Sequence, residues 1–434
     1  MGIELLSYLG AAFLGGIILN VMPCVLPVLT MKVFHIVERG AADPAGNRKH
    51  GMAYTGGILF AFIVFAAFII AIRLSGDSVG WGMQFQNPAF VAVLCGLMVV
   101  LALNALGVFE FAISMNVQDD DGGYGASFMN GIVAAVMSTP CSAPFLGSAA
   151  AFALGSGVSW YITLAIFIFI GLGLAFPFAL ISFVPGASKI LPRPGNWMNT
   201  FKSLMGFTLL AAAVWLFGVL MGQITRDGAQ WFLGFLLLVS LALWAVEHFG
   251  GLQHSMQRRI GVRLAALLLL VASGNQMIDF TKPEKVDSKQ TVAASEPVVK
   301  DGKINWADFS PFRVNLEHKR QRPVFMDYTA DWCLNCKTNE KAFIETEAVR
   351  AALTEMDILP MMADWTNEDE EITKWLEKLG RTGIPVYVVY YPNGEYDLLP
   401  EVITEKMILD LLARASTKYP KANYRSMEEA CAIN

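Results

Sequence analysis

Eight long apolar stretches dominate residues 1–280, near 4–34, 52–74, 89–111, 127–154, 158–184, 200–222, 230–249 and 260–280. About 20 mostly apolar residues suffice for a helix to cross the hydrocarbon of a bilayer. Inside that hydrocarbon every backbone polar group must be paired, which a helix does within itself. The first two thirds of the chain are therefore expected to form a bundle of about eight transmembrane helices. Charge agrees: 23 charged residues lie in the first 280 positions and 46 in the remaining 154. The first part reads as a membrane body and the second as a soluble domain. No cluster of basic residues is suited to a phosphate backbone, which argues against nucleic acid as a partner.

Basic residues in the connections set the orientation. Lys32, Arg39, Arg48, Lys49, Lys189, Arg193, Lys202, Arg258, Arg259 and Arg263 fall in odd-numbered connections, whereas Arg73 and Arg226 fall in even-numbered ones. The odd connections are expected in the cytoplasm, with the N-terminus and the C-terminal domain outside it. The first apolar stretch shows no cleavage-like site ahead of Cys24, so no separate signal peptide is expected.

A repeat lies inside this half. Met22-Pro23-Cys24-Val25-Leu26-Pro27 on the first span matches Thr139-Pro140-Cys141-Ser142-Ala143-Pro144 on the fourth. Two like elements on spans of opposite direction, three spans apart, predict a 3+3 inverted repeat plus two further helices. Prolines within a helix remove a hydrogen bond and disturb the preceding turn. Pro23, Pro27, Pro140 and Pro144 are thus expected to open the helix around each sulfur, giving the access that a reactive thiolate needs. Cys24 and Cys141 are expected to meet where the repeats meet. Cys95 has no such neighbours and reads as a small buried hydrophobe.

Residues 281–303 are polar and read as a flexible linker. From 304 to 434 strands and helices alternate as in a small α/β domain: a strand at 323–329, a helix from about 334 to 353, a strand at 358–363, a helix at 368–379, a hairpin around Pro392-Asn393-Gly394 and a closing helix at 401–416. At the end of the first strand stands Asp331-Trp332-Cys333-Leu334-Asn335-Cys336-Lys337. Cys-x-x-Cys at a strand-to-helix turn is a redox motif. The N-terminal sulfur meets the positive end of the helix dipole, which favours its thiolate. Cys333 is expected to be the nucleophile and Cys336 the resolving thiol. Structural zinc would need four ligands, and the domain adds only His318 and the distant Cys431. Asp327 could exchange a proton with Cys336, or be a solvated strand-end carboxylate. Pro385 could be cis and face the dithiol, or belong to a plain loop. Glu340 could tune the thiols, or lie on the helix surface.

The run Asp327-Tyr328-Thr329-Ala330-Asp331-Trp332-Cys333 with Cys336, Lys337 and Pro385 resembles the thioredoxin fold. The paired Pro-Cys-x-x-Pro motifs resemble the DsbD/CcdA family of bacterial transmembrane thiol–disulfide reductases, and the union of both parts is similar to DsbD and its ScsB relatives. The resemblance implies cytoplasmic thioredoxin as electron donor, Cys24 and Cys141 as the membrane pair and Cys333 and Cys336 as the terminal pair. It further implies Asp327 as a buried acid, Pro385 as a cis-proline, Glu340 as an acidic residue near the site, and periplasmic thiol–disulfide proteins as acceptors. It places the chain in the bacterial inner membrane, in the setting of cytochrome c-type biogenesis. Family members also carry a periplasmic N-terminal domain with its own cysteine pair. This sequence shows none ahead of the first span, which leaves the final acceptor open.

The expected activity is a protein-disulfide reductase that needs no cofactor or metal, since sulfur carries the electrons. Two rivals remain: a copper(I)-handling membrane protein using methionines and cysteines, and a thiol oxidase running in the opposite direction.

Overall fold

A computed structural model of the chain describes residues 2–20, 44–74, 83–109, 124–136, 138, 160–183, 196–250, 255–277, 280–281, 297–426 and 429–430. It divides into two compact units, Met1–Val79 with Pro88–Lys282, and Gly80–Asn87 with Pro283–Asn434.

The first unit is helical: α1 (Gly2–Leu19), α2 (Pro44–Leu74), α3 (Pro88–Ala105), α4 (Tyr124–Val136), α5 (Trp160–Phe183), α6 (Asn196–Met221), α7 (Arg226–Gly250) and α8 (Met256–Met277). Among the described residues, five stretches are long and apolar enough to cross a membrane: Arg48–Ala71, Pro88–Ala105, Trp160–Leu180, Thr200–Met221 and Arg226–Gly250. Leu9–Leu19 and Tyr124–Val136 are shorter apolar helices. α8, at the place of the eighth expected span, carries Arg258, Arg259 and Arg263 in its first turns. Pro44 and Pro88 open α2 and α3, where a missing N–H costs nothing. Leu204, Phe207 and Val214 on α6 and Leu237 and Leu241 on α7 are exposed. Such outward apolar rows suit a hydrocarbon surrounding.

Helix pairing follows the repeat. A core of Leu19, Tyr54, Ile58, Phe62, Phe167, Ile170, Leu174 and Phe178 joins α1, α2 and α5. The α1/α5 crossing is glycine on glycine: a Cβ on Gly16 would lie 2.9 Å from the Gly173 Cα and overlap the Ile170 carbonyl. A Cβ on Gly173 would lie 2.8 Å from the Gly16 Cα and overlap the Phe13 carbonyl. The α2/α4 crossing repeats the arrangement, with Gly57 against the Phe128 carbonyl and Gly131 against the Tyr54 carbonyl. Exchanging the halves α1–α3 and α4–α6 turns the first crossing into the second. The α3/α6 and α2/α5 contacts map onto themselves under the same exchange. This is the pairing that a two-fold relation between inverted repeats requires, and α7 and α8 pack together as the additional pair.

The second unit holds β1 (Val299–Lys300), β2 (Lys303–Ile304), β3 (Ala307–Asp308), α9 (Pro311–Lys319), β4 (Val324–Thr329), α10 (Leu334–Asn339), α11 (Glu347–Met356), β5 (Leu359–Asp364), α12 (Glu370–Lys378), β6 (Val386–Tyr390), β7 (Tyr396–Leu398) and α13 (Glu405–Lys418). The main sheet runs β3-β5-β4-β6-β7. β4 lies parallel to β5 and antiparallel to β6, and all six of its residues are buried. Side chains alternate faces along a strand, so Phe325, Asp327 and Thr329 share one face. Phe325 joins Tyr387, Val389, Ile344, Leu353, Ile408 and Leu411 in the core on that side.

Three local outcomes differ from expectation. The helix expected at 334–353 is broken: α10 ends in a single π turn, Glu340–Ile344, with the Glu345 N–H on the Glu340 carbonyl at 2.8 Å. A new helix then starts because the Thr346 hydroxyl accepts from the Val349 N–H. The expected linker 281–303 contains β1 and the first residue of β2, paired antiparallel through Asp301-Gly302. Both turn residues have positive φ, 51° and 74°, the turn for which Asp-Gly is suited. Finally, Gly80–Asn87, inside the expected membrane stretch 1–280, belongs to the second unit. A 3-10 turn at Met83–Gln86 packs there through Phe85 and Gln86.

Candidate functional site

Pro23, Cys24, Pro27, Pro140, Cys141 and Pro144 lie outside the described residues. The terminal dithiol is described in full. β4 delivers the chain to the turn 330–333, and Cys333 becomes the N-cap of α10. Its sulfur accepts a hydrogen bond from the Cys336 N–H at 3.2 Å. Cys333 and Cys336 form a disulfide with Cα atoms 5.3 Å apart. The two cysteines are unequally covered: Cys333 retains 7% exposure and Cys336 none. An attacking thiolate can reach only a sulfur with some access, so the geometry suits Cys333 as the point of attack and Cys336 as the leaving sulfur.

Asp327 is fully buried, and neither carboxylate oxygen has a hydrogen-bond partner. Burial pushes its pKa well above the ordinary carboxylate range, the negative charge of Glu340 adds to the rise, and Lys337 opposes it. Burying an unpaired charge is costly, so the group neutralises instead. Asp327 is thus a buried acid on the central strand rather than a solvated strand-end carboxylate. Glu340 is not a free surface residue either. It accepts a short hydrogen bond from the Thr329 hydroxyl and pairs with Lys337 Nζ at 3.3 Å. Lys337 also reaches Asp331 at 3.6 Å. The Ile384–Pro385 bond is cis. Pro385 precedes Val386, which pairs with Tyr328, so it lies at the end of β6 beside the exit of β4 toward the cysteines.

Trp332 is almost wholly buried; its ring approaches Trp365 at 6.3 Å. Thr366 Oγ1 accepts from the Asp331 N–H at 2.9 Å, and Trp365 N–H donates to the Thr329 carbonyl at 2.8 Å. These bonds fasten the end of β5 to the turn before Cys333.

Several site residues escape sequence reasoning. Asp327 pairs with Tyr387 across the strands, and Asn339 donates to Tyr387 Oη at 3.1 Å and to the Glu401 carbonyl at 3.1 Å. Tyr387 has its pKa raised, first by burial and then by the charge of Asp327. Finding Tyr387 requires the β4/β6 register. Thr329 was within reach, since strand alternation puts it on the face of Asp327. Among the described residues no group of three or more His, Cys, Asp or Glu is placed to hold a metal ion.

Known proteins resemble this chain along most of its length. Residues 305–392 match a thioredoxin-like family model. The thiol:disulfide interchange protein DsbD of a Pseudomonas species is 28% identical over 406 residues, covering 89% of this chain and 66% of that protein. DsbD of Pasteurella multocida is 24% identical, covering 88% and 63%, and DsbD of Haemophilus ducreyi 25%, covering 90% and 66%. The chain thus spans just under two thirds of the length of these relatives. Crystal structures of the Neisseria meningitidis DsbD C-terminal domain, reduced and oxidised, are 19% and 22% identical, cover 25% of this chain and 99% and 97% of theirs, with TM-scores of 0.22. Residues 5–221, half of the chain, match the cytochrome c biogenesis protein transmembrane domain, and the chain belongs to that family.

Proposed function

We propose that this multi-pass membrane protein is a thiol–disulfide reductase that passes electrons across the bacterial inner membrane. Cytoplasmic thioredoxin reduces the Cys24–Cys141 pair, with Pro23, Pro27, Pro140 and Pro144 keeping both sulfurs accessible. That pair reduces Cys333–Cys336, which serves periplasmic thiol–disulfide proteins. The apolar helices of residues 1–280 act as the conduit, the polar stretch that ends before β1 as the tether, and the α/β unit from β1 onward as the periplasmic carrier.

Each transfer is the same exchange. A thiolate attacks one sulfur of a disulfide, the S–S bond breaks, the second sulfur leaves as a thiolate, and a second thiol resolves the mixed disulfide. Two electrons and two protons move per disulfide. At the terminal pair the incoming thiolate attacks Cys333 Sγ and Cys336 leaves. Asp327, held as the neutral acid, supplies the proton that the buried Cys336 thiolate needs. Glu340, Lys337 and Pro385 shape the surroundings of that transfer.

The observation that carries this reading is the covered disulfide at the start of α10, with Cys336 fully buried and Cys333 slightly exposed, directly after the strand that holds a buried acid without a hydrogen-bond partner. The test is the redox state of Cys333/Cys336 in growing cells, read by thiol alkylation. Cys24→Ser should leave that pair oxidised; a pair as reduced as in the parent chain refutes the relay.

A further inference from the structure

The dithiol unit includes a segment that the exchange chemistry does not call for. The 3-10 turn Met83–Gln86 is separated from Cys333 by about 250 residues of chain, yet it lies in the same compact unit. Phe85 is 3% exposed and stacks on Trp332, the residue before the reactive cysteine, at 6.3 Å between centroids and 19° between planes. Gln86 is buried too, and its Nε2 donates to the Trp365 carbonyl at 3.0 Å. Trp365 is the other ring of the same aromatic face. One face of the site is thus covered by an aromatic ring and an amide from a short turn. Such a turn has little of its own to hold it in place, since one 3-10 turn makes few internal hydrogen bonds.

We propose that Met83–Gln86 is a cap in cis over the Trp332–Trp365 face, closed on the oxidised dithiol and released before an outside thiol attacks Cys333. Phe85 supplies the stacking contact and Gln86 the polar anchor. Cys333, with 7% exposure, is reached efficiently only when the turn has lifted. The cap makes attack conditional on release, and a partner that offers its own aromatic and amide groups to this face would favour that release. The proposal does not depend on the membrane relay.

The test uses the full-length protein in lipid nanodiscs with Cys24→Ser and Cys141→Ser, so that added dithiothreitol is the only reductant. One dithiothreitol thiolate attacks Cys333 Sγ, Cys336 leaves and takes a proton. The second thiol then closes the dithiothreitol ring and frees Cys333. The rate is followed by alkylation and mass spectrometry of the peptide holding both cysteines. Losing one aromatic stack and one hydrogen bond should speed reduction by roughly fivefold to a hundredfold in Phe85→Ala with Gln86→Ala. A rate equal to or slower than the parent's overturns the proposal. A photoreactive benzoylphenylalanine at position 85 gives a second measurement. Cross-links to the peptides holding Trp332 or Trp365 in the oxidised protein, weakened on reduction, support the cap. Cross-links elsewhere, or of equal yield in both redox states, refute it.

Discussion

Replacing Asp327 with Asn should remove a specific pH dependence from the dithiol unit. Asp327 is fully buried and both of its oxygens lack partners, so the folded, oxidised unit keeps this carboxyl protonated well above the ordinary value of 3.8. The unfolded chain releases the proton near 3.8. Below that value both states hold it and the group adds no pH dependence. Above it, and up to the raised value in the fold, folding takes up one proton, so stability falls as pH rises. The slope is set by one proton and equals about 1.4 kcal/mol per pH unit. His318 acts in the opposite sense, since burial lowers its pKa, but it is common to both proteins and cancels in the difference. Hydrogen exchange of the β4 amides, Val324–Thr329, in the full-length oxidised protein reads the opening free energy at pH 5 and pH 6. The parent should lose stability more steeply than Asp327→Asn over that unit, by up to about 1.4 kcal/mol. Equal slopes would mean that Asp327 is ionised in the fold, and the account of it as a neutral proton donor would fail.

Two further outcomes follow from packing. Phe325 is fully buried on the face of β4 that carries Asp327; Phe325→Ala should cost about 3–5 kcal/mol in the same exchange measurement, and a loss under about 1 kcal/mol would contradict the core described. Gly173→Leu should disrupt the α1/α5 crossing and lower the yield of folded protein in detergent, whereas Gly10→Leu, where an added Cβ meets nothing within 4 Å, should not; equal yields would rule out the close approach.

Much of the dithiol unit is legible in the sequence because its signals are local. The apolar run at Val324–Thr329, the Cys-x-x-Cys after it and Pro392-Asn393-Gly394 each declare an element within a few residues. The break after α10 is local too, yet it competes with a strong helical pattern on both sides, and the Thr346 cap decides it. What stays hidden depends on distant pairing. Tyr387 becomes a neighbour of Asp327 only once β6 is set against β4 in register. Phe85 lies in a connection between two apolar stretches, and nothing local singles it out until Trp332, far along the chain, presents a flat ring to it. The membrane repeat is visible in its prolines and cysteines, but the glycines that let its helices touch carry no pattern of their own and emerge only from the crossings.

Those crossings also bear on how the first unit can move. Helices that interlock through large side chains must disengage them to change their angle. Gly16 on Gly173, and Gly57 on Gly131, oppose smooth backbone to smooth backbone. The rings and branched chains of the shared core surround these contacts, so each contact is a fixed point: the backbones cannot approach further, and any larger residue there would drive the helices apart. The exchange of halves sets two such fixed points, held by four residues that lack side chains.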